Sequence, residues 1–171
     1  DVLRQEVLAL VEVGARIIQL DEPTLAARAR DIPLAAEAIG RITSDVPAYF
    51  VCHLCAGRFA EIYPAILELP VDNLSLETSG PSSLTLEHFH RHPFSVDLTL
   101  GVLDVRRRRV ETADEVAAKL RDALSLLPLD RLWVAPDCGL KSRTERETVE
   151  KLRAMVDGVV DTRRLVAPAT Y

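Results

Sequence analysis

The sequence predicts an α/β barrel of the (β/α)8 type, of which this chain carries about the last five strand–helix units. Two observations point there. Short apolar, β-branched runs alternate with stretches of helical periodicity: one helix, then five rounds of strand and helix. Polar, chemically capable side chains also follow directly after each strand: Asp21 and Glu22, His53 and Cys55, Glu77, Asp104, and Asp137 with Cys138. In such barrels the active site is built from the loops at the C-terminal ends of the strands, so reactive residues recur at strand ends. A doubly wound open sheet alternates too, but gathers its ligand at a single switch point.

The chain opens in a helix, with Val2, Leu3, Val7, Leu10, Val11 and Val13 at roughly helical spacing. Gly14 stops it, and 16–20 reads as a buried strand. A helix over 33–42 and a strand over 48–52 follow. The helix expected over 58–69 contains Pro64, whose missing N–H and bulky ring should kink it. The third strand covers 73–77, a short helical segment 84–92, and the fourth strand 98–103. Thr112 and Glu115 have capping-box spacing and open a helix to about 127. The fifth strand covers 131–135. Thr144 and Glu147 repeat the box ahead of a helix to about 156, with Gly158 as its C-terminal cap. The tail 159–171 shows no periodicity. All five strands read as apolar and buried on both faces. A closed barrel needs eight strands and typically about 250 residues. The expectation is therefore one incomplete domain over 1–171, a fragment or a subunit completed by a second chain.

A hydrophobic content of 48% excludes a disordered chain. Twenty-one basic against 26 acidic residues, a net charge of −5, give nucleic acid no electrostatic footing. The arginine run 106–109 lacks interleaved aromatics and reads as a solvated or anion-facing loop. No apolar run approaches a membrane span, and no signal-peptide pattern opens the chain. Three cysteines argue against a disulfide framework, and reduced thiols place the expected setting in the cytoplasm.

His53, Cys55, Glu77 and Cys138 offer one imidazole, two thiolates and one carboxylate, all donors that zinc accepts. They come from three strand ends far apart in sequence, whereas a structural zinc knuckle draws on two close-set pairs. That distribution predicts zinc in an active site. Cys52 should point to the opposite face from His53, as a small buried hydrophobe. His88, His90 and His92 would not share one face of a helix and are not read as ligands.

The blocks IIQLDEPTL (17–25), VCHLC (51–55), LSLETSG (74–80), GVLDV (101–105) followed by RVET (109–112), and DRLWVAPDCGLKSR (130–143) occur in order. Together they resemble the C-terminal catalytic barrel of the cobalamin-independent methionine synthase family, over about 13–158. The resemblance implies that His53, Cys55, Glu77 and Cys138 ligate zinc, and that Asp21 contacts the amino group of homocysteine at a pocket that Glu77 borders. Glu22 either shapes that pocket directly or caps its loop. The implied reaction is zinc-dependent methyl transfer to the thiolate of homocysteine, giving methionine. Folate-dependent members carry a histidine, the proposed proton donor, where this chain has Arg106. An arginine stays charged and cannot play that part. The methyl donor is then either methyltetrahydrofolate or a methyl-corrinoid protein. Lys141 and Arg143 either meet anions of the substrates or belong to a surface loop. Two further readings are a related thiol-alkyl transferase with another acceptor such as coenzyme M, and a non-catalytic or split half-barrel with structural zinc.

Overall fold

A computed structural model of the chain describes residues 1–55, 59–79 and 86–166. Five parallel strands form one sheet in sequence order: β1 (Ile17–Asp21), β2 (Tyr49–Leu54), β3 (Asn73–Leu76), β4 (Asp97–Leu103) and β5 (Leu132–Pro136). Parallel neighbours require crossover connections. Helices α1 (Val2–Glu12), α2 (Ile32–Thr43), α3 (Phe59–Ile62), α4 (Leu86–Arg91), α5 (Ala113–Leu124) and α6 (Glu145–Val166) alternate with the strands accordingly. Among the described residues the sheet is open, with β1 and β5 as its edges. No described helix is long and apolar enough to cross a membrane.

The strands are not apolar on both faces, as the sequence alone leads one to expect. Side chains alternate, and one set (Ile18, Phe50, Cys52, Leu54, Leu74, Leu76, Leu98, Leu100) joins the core formed with Val7, Ile39, Ile62, Val116 and Leu120 of the helices. The other face carries Gln19, Asp21, Tyr49, Val51, His53, Asn73, Ser75 and Thr99. At mid-sheet these polar groups are buried and satisfy one another, Thr99 Oγ1 donating to Asn73 Oδ1 at 2.8 Å. The edge strands leave Ile17 54% and Trp133 39% exposed.

Both capping boxes form. Thr112 Oγ1 accepts from Glu115 N at 3.2 Å while Thr112 N donates to Glu115 Oε2 at 2.9 Å. Thr144 and Glu147 do the same at 3.2 and 3.0 Å. Gly14 follows α1 with φ of 101°, a conformation that favours glycine. Three expectations are corrected. The helix expected over 58–69 is split, α3 ending at Ile62 and a 3₁₀ turn covering Ala65–Glu68, because Pro64 cannot donate into a continuing helix. Gly158 is no cap: α6 runs through it to Val166, so 159–166 of the expected tail is helical. A β-carbon at Gly158 would lie 2.7 Å from both Ala113 O and Val116 Cβ, so glycine is there to let α6 press against α5. Position 58, positions 84–85 and the tail beyond 166 lie outside the described residues.

Candidate metal centre

The strand register assembles the site. Asp21 pairs with His53, which pairs with Ser75, which pairs with Thr99. The Glu22 N–H donates to His53 O at 2.9 Å, tying the end of β1 to that of β2. His53 Nδ1 lies 3.0 Å from Ser75 Oγ, which fixes the ring and leaves the other nitrogen for a ligand. Cys55 follows β2 and Cys138 follows β5. The donor atoms of His53, Cys55 and Cys138 all lie within 4.8 Å of one another. Cys52 points the other way, as expected; it is fully buried, and burial pushes its thiol up to about 12. The Cys55 thiol is pushed up to about 11, first by burial and then by the charges of Cys138 and Glu77. The charges of Cys138 and Glu77 bear on the Cys55 thiol, so this donor set is short of positive charge. A divalent cation supplies that charge, so the residues present fit zinc.

Asp137 locks this rim together. It is 1% exposed, and its Oδ1 accepts from the N–H groups of Thr78 at 3.1 Å and Ser79 at 3.3 Å. A shift in the pairing of β4 with β5 between Gly101 and Leu103 lets Asp137 N reach Leu103 O at 3.0 Å. Thr78 Oγ1 donates to Gly101 O at 2.5 Å. Lys119 Nζ closes the arrangement from α5, donating to Ser79 Oγ at 2.5 Å and Val102 O at 3.2 Å. The segments carrying Glu77 and Cys138 are thus tied across β4. Burial raises the Asp137 carboxyl to about 6, against the lowering effect of the Thr78 bond, and its Oδ2 is buried without a partner among the described residues.

Glu77, the fourth sequence candidate, is 5% exposed and lies outside the three-donor cluster. Its Oε2 accepts from Arg106 Nη2 at 2.6 Å. Each arginine of the run faces a carboxylate: Arg107 with Asp104 at 3.3 Å, Arg108 with Glu147 at 3.1 Å, and Arg109 with Glu115 at 2.5 Å. Lys151 secures the loop that presents them. It is fully buried, and its ammonium donates to Asp104 O, Arg109 O and Glu111 Oε2 at 3.1, 2.5 and 2.7 Å. Sequence reasoning missed Lys151, Asp137's clamp and the Arg106–Glu77 pair. The partners lie 40, 58 to 59 and 29 positions apart, and no local pattern announces such pairs.

Asp21 is exposed and accepts from Gln19 Nε2 at 2.8 Å. Glu22 Oε1 accepts from Thr24 N, Thr24 Oγ1 and Leu25 N at 2.9, 2.5 and 3.1 Å, and so caps its loop. Burial pushes the Glu22 carboxyl up, but these bonds together outweigh it and hold its pKa below the ordinary value. Lys141 is exposed, while Arg143 Nε and Nη1 are buried without partners among the described residues. His88 and His92 lie edge-on to the Tyr63 ring.

Residues 1–160 match the family model of the cobalamin-independent synthase catalytic domain. The chain belongs to this family. It is 38% identical over 156 residues to a methionine synthase of Saccharolobus islandicus, covering 91% of this chain and 47% of that protein. It is also 38% identical over 175 residues to a 5-methyltetrahydropteroyltriglutamate–homocysteine methyltransferase of Bacillus licheniformis, covering 96% of this chain and 23% of that one. The chain thus spans about half, or less, of the length of these relatives. A B12-independent methionine synthase from Shewanella sp. W3-18-1, solved in complex with selenomethionine, superposes with a TM-score of 0.85 at 24% identity, over 96% of this chain and 53% of that one. That likeness establishes a common fold. The family read from the DEP, HxC and PDCGLKSR blocks is borne out.

Proposed function

We propose that this chain carries the thiol-activating centre of a zinc-dependent homocysteine S-methyltransferase, which makes methionine. His53, Cys55 and Cys138 would hold the zinc, with Glu77 beside them as the fourth donor. Zinc in such a sulfur-rich shell keeps a substrate thiol as its thiolate at neutral pH. The rest is the work of the chain's own residues. Ser75 orients the His53 ring, and Asp137 fixes the loops bearing Glu77 and Cys138, so the donors are preorganised. Asp21 stands across from His53 with an exposed carboxylate suited to an ammonium group. That favours an amino-acid thiol over an acceptor without an amino group, such as coenzyme M. Glu22 holds the turn beyond Asp21. Arg106 cannot donate a proton to a leaving group, so the donor is a methyltetrahydrofolate that gains its proton elsewhere or a methyl-corrinoid protein. A complete (β/α)8 barrel, with strands from a further segment or a second chain, would enclose the centre. Free thiols at 55 and 138 suit the reducing cytoplasm.

The observation that carries this reading is the convergence of one imidazole and two thiols within 4.8 Å at strand ends remote in sequence. Zinc analysis with X-ray absorption at the zinc edge tests it. The expected result is stoichiometric zinc that acquires a further sulfur neighbour when homocysteine is added. Zinc whose shell ignores homocysteine would make the metal structural, and a chain that takes up no zinc would overturn the proposal.

A further inference from the structure

A cavity of about 200 Å3 lies between β4, α4 and α5, with Phe89, Phe94, Leu98 and Leu100 among its walls. Leu98 and Leu100 flank Thr99, which shares a face of the sheet with Ser75 and His53. The cavity is therefore on the opposite side of the sheet from His53. Its apolar walls are fixed. None of the four residues is more than 6% exposed, and the two phenyl rings pack with centres 5.0 Å apart. An apolar cavity of about 150 Å3 accepts benzene, so this one has room for an apolar side chain.

Two opposite charges stand on the same lining. Lys119 and Asp122 are three positions apart on α5, neighbours on one helix face, and both border the cavity. Lys119 is half-buried, and its ammonium gives two of its three protons to Ser79 Oγ and Val102 O, at 2.5 and 3.2 Å. The third proton has no acceptor among the described residues. Burial lowers the Lys119 pKa, although Asp137, Glu111, Asp104 and Glu115 pull the other way, so the ammonium gains from a further acceptor. Asp122 is exposed, and its carboxylate has no hydrogen bond or ion pair among the described residues. An apolar slot with an unspent cationic donor and a free carboxylate beside it matches a zwitterion with an apolar tail. We infer that this cavity binds a free α-amino acid with an apolar side chain, its carboxylate on Lys119 and its ammonium on Asp122. The site is separate from the strand-end centre, and no metal enters it.

Amide NMR spectra of the full chain, titrated with L-norleucine, test the site; norleucine carries no sulfur for a metal to hold. Saturable shifts should centre on Thr78, Phe89, Leu100 and Ala123, with half-saturation at about 1 mM or below. Pentylamine, which lacks the carboxylate, should need at least about tenfold more. Hexanoate, which lacks the ammonium, should need about threefold more, because Asp122 is exposed. Lys119→Met should weaken norleucine at least about tenfold and leave pentylamine unchanged. Asp122→Asn should weaken norleucine about threefold and leave hexanoate unchanged. Asp21→Asn should leave norleucine affinity within about twofold. If Lys119→Met does not fold, the comparison of pentylamine with norleucine on the unmodified chain decides. The proposal is overturned if norleucine gives no saturable shift by about 20 mM. It is equally overturned if the shifts centre on Asp21 and His53 or vanish in Asp21→Asn, which would put binding at the strand ends. Pentylamine binding as tightly as norleucine would overturn it too, leaving an apolar cleft alone. A chain that takes up no zinc would sink the zinc reading and leave these shifts in place, so the two failures are distinguishable.

Discussion

The two ends of one sheet use their polar residues in opposite ways. At the N-terminal end Tyr49 donates to Asp97 at 2.5 Å, and Arg131 donates to Asp97 at 3.2 Å and to Val96 O at 2.6 Å. Asp72 accepts from Phe50 N at 2.7 Å, and Tyr49 stacks on Trp133 with ring centres 5.5 Å apart. These are closed pairings. At the C-terminal end burial, and then the neighbouring Cys138, push the Cys55 thiol up, and Asp137 Oδ2 and two nitrogens of Arg143 are buried without partners among the described residues. Backbone pairing is parallel at both ends, with one register shift, between β4 and β5 at Gly101 and Leu103. The ends differ in whether side chains complete their hydrogen bonds within the protein or keep capacity in reserve. Reserve capacity in a buried place is the mark of a site that expects a ligand.

The comparison can be broken in several places. Lys151→Met should have the largest effect, about 3–5 kcal/mol in urea unfolding, because it strands the Glu111 carboxylate and two carbonyls beneath the arginine loop. Cys138→Ser should lower zinc affinity by at least about 100-fold, more than loss of an outer partner would. The urea midpoint of the metal-free chain should move by less than the equivalent of about 0.5 kcal/mol. If the midpoint moves as far as it does for Lys151→Met, Cys138 is structural and the contrast between the ends is false. Asp97→Ala should do the reverse, costing about 1–3 kcal/mol by unpairing Tyr49 and Arg131 while leaving zinc affinity intact. Alkaline unfolding sharpens the same point. Burial, and then Asp97, raise the Tyr49 hydroxyl to about 12. The unfolded chain therefore releases that proton first, so stability from this group is full below about pH 10 and is lost as the pH rises through about 12. The smallest effect belongs to Thr112→Ala, about 1 kcal/mol from one lost cap, with no change in metal binding.

Much of this was legible in the sequence, for local reasons. The five strands announce themselves as short apolar runs between helical stretches, and both capping boxes follow from spacing alone. His53, Cys55 and Cys138 could be picked out because donor type and position after a strand are both sequence properties. What escaped depends on tertiary proximity. Gly158 looks like a helix stop and acts as a packing notch. Lys151 looks like a surface lysine and is fully buried. Glu77 and Arg106, 29 positions apart, meet only because the loops after β3 and β4 are adjacent. The polar face of the sheet was hidden because the leucines, Ile18 and Phe50 of the other face made the strands read as apolar throughout.

Gly101 carries a consequence for the spacing of the proposed metal donors. A β-carbon there would stand 2.4 Å from Asp137 Oδ1 and 2.8 Å from Leu76 O. The missing methyl group therefore works as a spacer of zero thickness between the ends of β3 and β5. Any larger side chain would wedge apart the loops bearing Glu77 and Cys138, and bond lengths between metal and sulfur or oxygen differ among ions by only tenths of an ångström. In the zinc reading proposed above, the calibre of the centre would be set beneath the donors by an atom that is absent.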